Sequence, residues 1–190
     1  MQLFSETTSD EELVVLSLQN SECFAGLIER YEAKMKRYLM RRSSASHEDV
    51  QDLLQDIFLK AYVNLNGFDT SLSFSSWLYR IAHNHMISWY RKHKTRTDGR
   101  IFSINEEDLF ENLADAFDLE HEHWTEVVKK SLVGHAQELP EKYRDIILLR
   151  FFEEKDYDEI SDILQIPPGT VATRLSRAKK RLQSTFIEHL

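Results

Sequence analysis

Arg80, His83, Asn84, Ser88 and Arg91 recur at helical spacing and fall on one side of a helix over Phe74 to Lys94. Phe68, Phe74, Trp77, Tyr79, Trp89 and Tyr90 crowd around them, and the chain then turns basic at Arg91, Lys92, Lys94, Arg96 and Arg100. Cations neutralise phosphates, and flat rings give splayed bases a surface to stack on. The combination suits the capture of an unpaired nucleic acid strand. An ordinary core helix with a solvated basic end would use the same residue types.

A second basic set sits near the other end. Thr173, Arg174, Arg177 and Arg181 project from a helix whose inward positions are Val171, Leu175, Ala178 and Leu182. Thr170 and Lys180 belong to the same outward set. Pro167, Pro168 and Gly169 make a tight turn before it, with Pro168 at the first helical position, where no backbone N–H is needed. A short helix with Ile160, Ile163 and Leu164 inward leads into the turn and ends at Ile166. Helix, short turn and basic helix form a helix-turn-helix, whose second helix enters the major groove of duplex DNA. The plain alternative is a helical hairpin.

The elements that must hold these sets are helical. Five Gly and three Pro in 190 residues disfavour a loop-rich sandwich, and no run of alternating β-branched residues argues for a strand. Asp10 is placed to cap a first helix over Leu13, Val14, Leu16 and Leu18. A second runs from about Ser21 to Arg42, with Phe24, Leu27, Ile28, Tyr31, Met35 and Leu39 inward. Ser46 and Asp49 have capping-box spacing for a third, with Val50, Leu53, Leu54, Ile57, Phe58 and Ala61 inward. Asp49, Asp52 and Asp56, with Gln55 beside them, make an acidic ridge on its outside, either a solvated face or a dock for a basic partner. The Phe74–Lys94 helix should pack on this third helix through Leu78, Ile81, Ala82, His85 and Trp89. The expected architecture is all-α: a tail over 1–9, a helical domain over 10–95, an acidic linker over 96–126 and a helix-turn-helix domain over 127–190. Pro140 opens a helix of that last domain, with Ile146, Ile147, Leu149 and Phe151 in its core.

The net charge of −8 is unevenly spread. Residues 101–128 hold nine acids and no Lys or Arg, whereas 163–187 hold five Lys or Arg and no acid. Local charge decides what a surface binds, so the acidic total does not exclude nucleic acid. The single cysteine, Cys23, excludes an internal disulfide and suits burial beside Phe24. His121 and His123 lack further ligands at metal spacing, so no metal, cofactor or catalytic constellation is expected. The acidic N-terminus is unlike a signal peptide and no window reaches membrane-span length, so a cytoplasmic protein with no membrane insertion is expected.

Three strings in this order resemble the extracytoplasmic-function class of bacterial sigma factors. EDVQDLLQDIFLKAY is similar to the family's helix that docks on the clamp coiled coil of RNA polymerase, with Asp52, Gln55 and Asp56 at its docking positions. FSSWLYRIAHN resembles the segment that opens and reads the −10 promoter element. LPEKYRDIILLRFFEEKDYDEISDILQIPPGTVATRLSRAKKRL resembles the domain that reads the −35 element and touches the polymerase flap. The resemblance implies that Phe68 and Asn84 surround a pocket for a flipped base, that Arg80 supports it, and that Thr173, Arg174 and Arg177 act on the −35 duplex. It also implies core polymerase and promoter DNA as partners, a linker crossing the polymerase cleft, and an anti-sigma factor. Two departures stand out. Ala172 occupies a position that is usually basic in the family, and Pro167 one that is often a capping Ser. The competing functions are an autonomous helix-turn-helix transcriptional regulator and a metal-dependent enzyme using His121 and His123.

Overall fold

The structure, a computed structural model, describes residues 5, 7–43, 45–93, 136 and 138–188, with side chains through Lys92 and through Leu182 in the two long segments. The acidic linker, with His121, His123 and the basic run after Lys92, lies outside the described residues, as does the expected start of the second domain near residue 127. No strand occurs among the described residues. The chain divides into two compact units, with four α-helices in the first and three in the second among the described residues.

In the first unit, α1 spans Asp10–Gln19, α2 Phe24–Arg42, α3 His47–Val63 and α4 Phe74–His93, with short 3-10 turns at Ser21–Cys23 and Leu65–Gly67. The cap of α1 is Ser9, one residue before the expected Asp10. Ser9 accepts from the Glu12 N–H at 3.1 Å while Glu12 accepts from the Ser9 N–H at 2.8 Å. Asp10 is instead in the first turn, where its carboxylate takes Arg30 at 2.7 Å and the Tyr31 hydroxyl. A tertiary partner on α2 thus claims the side chain that local pattern would give to capping. The Ser46–Asp49 box forms as its spacing predicts, satisfying two end N–H groups of α3.

The expected α3 stripe is buried in full, and α2 buries Phe24, Leu27, Tyr31, Met35, Tyr38 and Leu39. On α1 the inner face is Leu13, Val14 and Ser17, whereas Leu18 is 47% exposed and Leu16 is half-buried. On α4 the buried set is Phe74, Ser76, Leu78, Tyr79, Ala82, His83 and Met86. Leu78 and Ala82 were expected there, but Ile81, His85 and Trp89 are only half-buried, and His83 moves from the polar face to the interior. The inner face is rotated and widened because α4 packs against both α1 and α3. Fully burying a side chain such as Leu78 contributes about 1.5–3 kcal/mol, so this contact outweighs a simple polar-versus-apolar division of the helix.

In the second unit, α5 spans Glu141–Phe151, α6 Tyr157–Leu164 and α7 Pro168–Glu188. α5 packs along α7 and buries Tyr143 and Ile146 through Leu149. Asp156 and Glu159 form a capping box for α6. That helix ends at Leu164, two residues before the expected Ile166, because Gln165 turns left-handed at φ 53°. The Gln165 and Ile166 N–H groups both return to the Ser161 carbonyl, and the Ser161 hydroxyl donates to Ile166 O at 2.6 Å. α7 begins at Pro168, and Val171, Leu175, Ala178 and Leu182 are its buried row, as the spacing predicts. No described helix is long and apolar enough to cross a membrane.

Candidate nucleic-acid interfaces

The first unit opens a cleft of about 420 Å³ beside α4. Trp77, Ile81, Asn84 and Ser88, at steps of four, three and four, form its α4 wall, with Lys60, Asn64 and Gly67 opposite. Asn84 is exposed, and its amide offers two donors and an acceptor, the complement of a base edge. The Ser88 hydroxyl donates to the Asn84 carbonyl at 3.1 Å, leaving its oxygen to the cleft as an acceptor. Trp77 is half-buried, with ring centroids 5.1 Å from Phe68 and 5.7 Å from Phe74. Phe68 is only 8% exposed and is not a lining residue; it braces Trp77 from the interior. Trp77 is among the stacking rings expected from the sequence but not among its individual −10 residues, although it lies one two-turn repeat before Asn84. Arg80 is half-buried and outside the lining set, while Arg91 and Lys92 are exposed further along α4.

His85 also lines this cleft, and its Nε2 lies 3.1 Å from Asp56 Oδ2 on α3. Burial lowers its pKa below the ordinary value and nearby Lys60 adds to that, outweighing the pull of Asp56. The shift favours the neutral ring, which can donate from Nε2 to the Asp56 carboxylate. His83, expected on the polar face, is 8% exposed.

The acidic ridge divides in two. Asp49 is held by the cap, accepting from the Ser46 hydroxyl at 2.7 Å, whereas Asp52, Gln55 and Asp56 are exposed. Beside them an apolar groove of about 410 Å³ runs between α2 and α3, lined by Phe24, Ile28, Leu54, Phe58, Leu59 and Tyr62, with Gln55 on its rim. Leu59 is 60% and Tyr62 43% exposed, so the ridge is flanked by exposed apolar surface that charge pattern did not reveal.

In the second unit a pocket of about 310 Å³ joins α7 to the start of α5. Gly169, Thr170, Thr173, Arg174 and Arg177 come from α7, and Lys142 and Tyr143 from α5. The structure thus brings four of the six expected −35 residues together, while Lys180 and Arg181 are exposed further along α7. The Thr173 hydroxyl donates to Gly169 O at 2.8 Å, so what it still offers outward is acceptor capacity and a methyl group. These fit a base amino group or a thymine methyl better than a phosphate. Tyr143 is only 5% exposed, with Lys142 Nζ 5.1 Å and the Arg181 guanidinium 5.2 Å from its ring centre. Burial pushes its hydroxyl pKa up, but Lys142, a hydrogen bond with Arg177 and the charge of Arg181 together bring it below the usual value. Lys142 and Tyr143 lie outside the basic helix, which is why sequence spacing did not find them.

Two family models match the chain: Sigma-70 region 2 over residues 27–96 and Sigma-70, region 4 over residues 136–182. The chain is 32% identical to the ECF RNA polymerase sigma factor SigW of Bacillus subtilis over 86% of its own length and 89% of that relative. It is 31% identical to SigM of the same organism over 84% and 93%. Among solved structures, CnrH in complex with the cytosolic domain of CnrY has a TM-score of 0.68 at 22% identity, covering 94% of this chain and 97% of that one. The sigma factor RpoE of Bartonella quintana, in complex with the anti-sigma factor NepR, gives a TM-score of 0.62 at 20% identity, covering 87% and 96%.

Proposed function

The chain belongs to the extracytoplasmic-function family of RNA polymerase sigma factors, and from that premise we propose how its two units divide the work. The first unit takes a flipped −10 base into the Trp77–Asn84–Ser88 cleft. Asn84 reads the base edge, Trp77 offers it a surface, and Phe68 holds Trp77 in place. Extruding a base costs a few kcal/mol, recovered by stacking and hydrogen bonds, so strand opening and sequence reading become one event. Arg91 and Lys92 track the strand's phosphates, and Arg80 supports the surface from within α4. Asp52, Gln55 and Asp56 engage core polymerase on its clamp coiled coil, with the apolar groove beside them receiving the partner's nonpolar side chains, and Asp49 sets the start of their helix. The second unit sets Thr173, Arg174 and Arg177 on the −35 duplex, with Thr170, Lys180 and Arg181 flanking them.

The observation that carries this reading is the exposed Asn84 amide in a cleft walled by a braced tryptophan. The protein works in the cytoplasm, contributes no catalytic group of its own, and is a target for an anti-sigma partner of the kind seen with RpoE. Reconstitution with core polymerase on a randomised promoter library tests it. The expected result is defined −10 and −35 preferences, with the −10 preference relaxed by Asn84→Ala. Unchanged −10 selectivity in that variant would remove Asn84 from the pocket. Tight, sequence-specific binding to duplex promoter by the isolated protein would favour an autonomous regulator.

A further inference from the structure

The pocket between α5 and α7 contains more than a recognition helix needs. Its ionisable lining residues are Lys142, Tyr143, Arg174 and Arg177, with no carboxylate among them. Lys and Arg are pure donors, and the Gly169 N–H lies in the first turn of α7, where the helix itself supplies no acceptor. A pocket this rich in donors suits an acceptor-only anion. Tyr143 is fixed by burial and by the cations over its ring, which also make its hydroxyl a stronger donor. Gly169 has ordinary helical backbone, and a Cβ built there meets nothing within 4 Å. Neither strain nor crowding inside the protein requires glycine at this position, and its bare surface leaves room for another backbone to approach.

We propose that this pocket seats one backbone phosphate of the duplex beside the −35 element, gripped between Lys142 of α5 and Arg177 of α7 with the Tyr143 hydroxyl at its base. The proposal rests on the second unit being the −35-binding domain and adds two residues from outside the recognition helix. A single seated phosphate fixes the register of α7 in the groove. Arg174 and Thr173 are then left to face bases, since phosphate contacts position while base contacts specify.

The test uses full-length protein in holoenzyme, with a promoter selected from the randomised library. Neutral methylphosphonates replace the phosphates one at a time across the −35 region of both strands. Wild type should lose about tenfold in affinity at one position. Lys142→Gln should lose about as much on natural DNA and then be insensitive to that one substitution while still responding to the others. Tyr143→Phe, which keeps the ring, should show the same selective insensitivity in weaker form. Full additivity of Lys142→Gln with every methylphosphonate overturns the seat. So does weakened core binding without DNA combined with an unchanged methylphosphonate pattern, which would assign the pocket to a protein carboxylate. Indifference of the holoenzyme to both −35 sequence and every −35 phosphate would instead bring down the underlying assignment of the second unit.

Discussion

The cleft on α4 has one lysine, Lys60, among two rings, an aliphatic side chain, two amides and a hydroxyl, whereas the pocket on α7 has three cations and a phenol. The two differ in what they can hold. An amide beside a tryptophan ring discriminates the edge and face of a base but gives a phosphate little. A trio of cations holds a phosphate whatever the base. The difference matches the two states of promoter DNA. In an unpaired strand the bases are accessible and can be extruded. In a duplex the phosphates come first, and bases are read only from the groove.

Phe74→Ala should have the largest effect, because Phe74 is fully buried and underlies both Phe68 and Trp77. Losing it should destabilise the first unit by about 3–5 kcal/mol, read by urea unfolding, and leave the helix-turn-helix unit's stability unchanged. Parallel loss in both units would mean that they do not fold as separate bodies. Next, Arg177→Ala in holoenzyme should weaken −35 duplex binding by about ten- to hundredfold and reduce the salt slope by about 0.9. Asn84→Ala should cost about tenfold in −10 selectivity with the salt slope unchanged. A reduced slope for Asn84→Ala would erase the contrast between a base-reading cleft and a phosphate-holding one.

A smaller effect should follow pH. The lowered pKa of His85 means that the unfolded chain binds the proton more readily than the folded one. Its contribution is fully present above about pH 6.5, the unfolded value, and is lost as pH falls through the lowered folded value. His85→Gln should therefore reduce the fall in melting temperature between neutral and mildly acidic pH. An unaltered difference between those conditions would show that His85 does not titrate this way. Smallest of all, Gly169→Ala should raise the stability of the free protein by about 0.5–1 kcal/mol, since helical glycine is entropically costly and the added methyl meets nothing. If the DNA backbone approaches there, the same variant should bind −35 duplex more weakly. Unchanged binding would mean that the glycine is not there for close approach.

Much of this was legible from spacing. The stripe on α3, the inward row of α7, the Ser46–Asp49 box and the start of α7 at Pro168 each depend on a few neighbouring residues of one helix. Such features are local, and the chain carries them wherever it goes. What misled was competition. Asp10 has the chemistry of a cap, but Arg30 and Tyr31 reach it from α2, and Ser9 takes the cap. His83 has the chemistry of a polar face, but α4 touches two helices, and the width of its buried side follows from both.

The sequence by itself determined an all-helical chain, the helix-turn-helix with its basic outward row, and the family, because helical period, capping and motif order are written in consecutive residues. Tertiary structure alone decided which side chains share a cleft. It brought His85 to Asp56, set Phe68 behind Trp77, laid Leu59 and Tyr62 along the groove beside Gln55, and placed Tyr143 and Lys142 beside Arg177. Most of these meetings join different elements, α3 with α4, the turn before α4 with α4, α5 with α7, and the groove beside Gln55 needs α2 laid against α3, so the packing of one element on another fixes the distances.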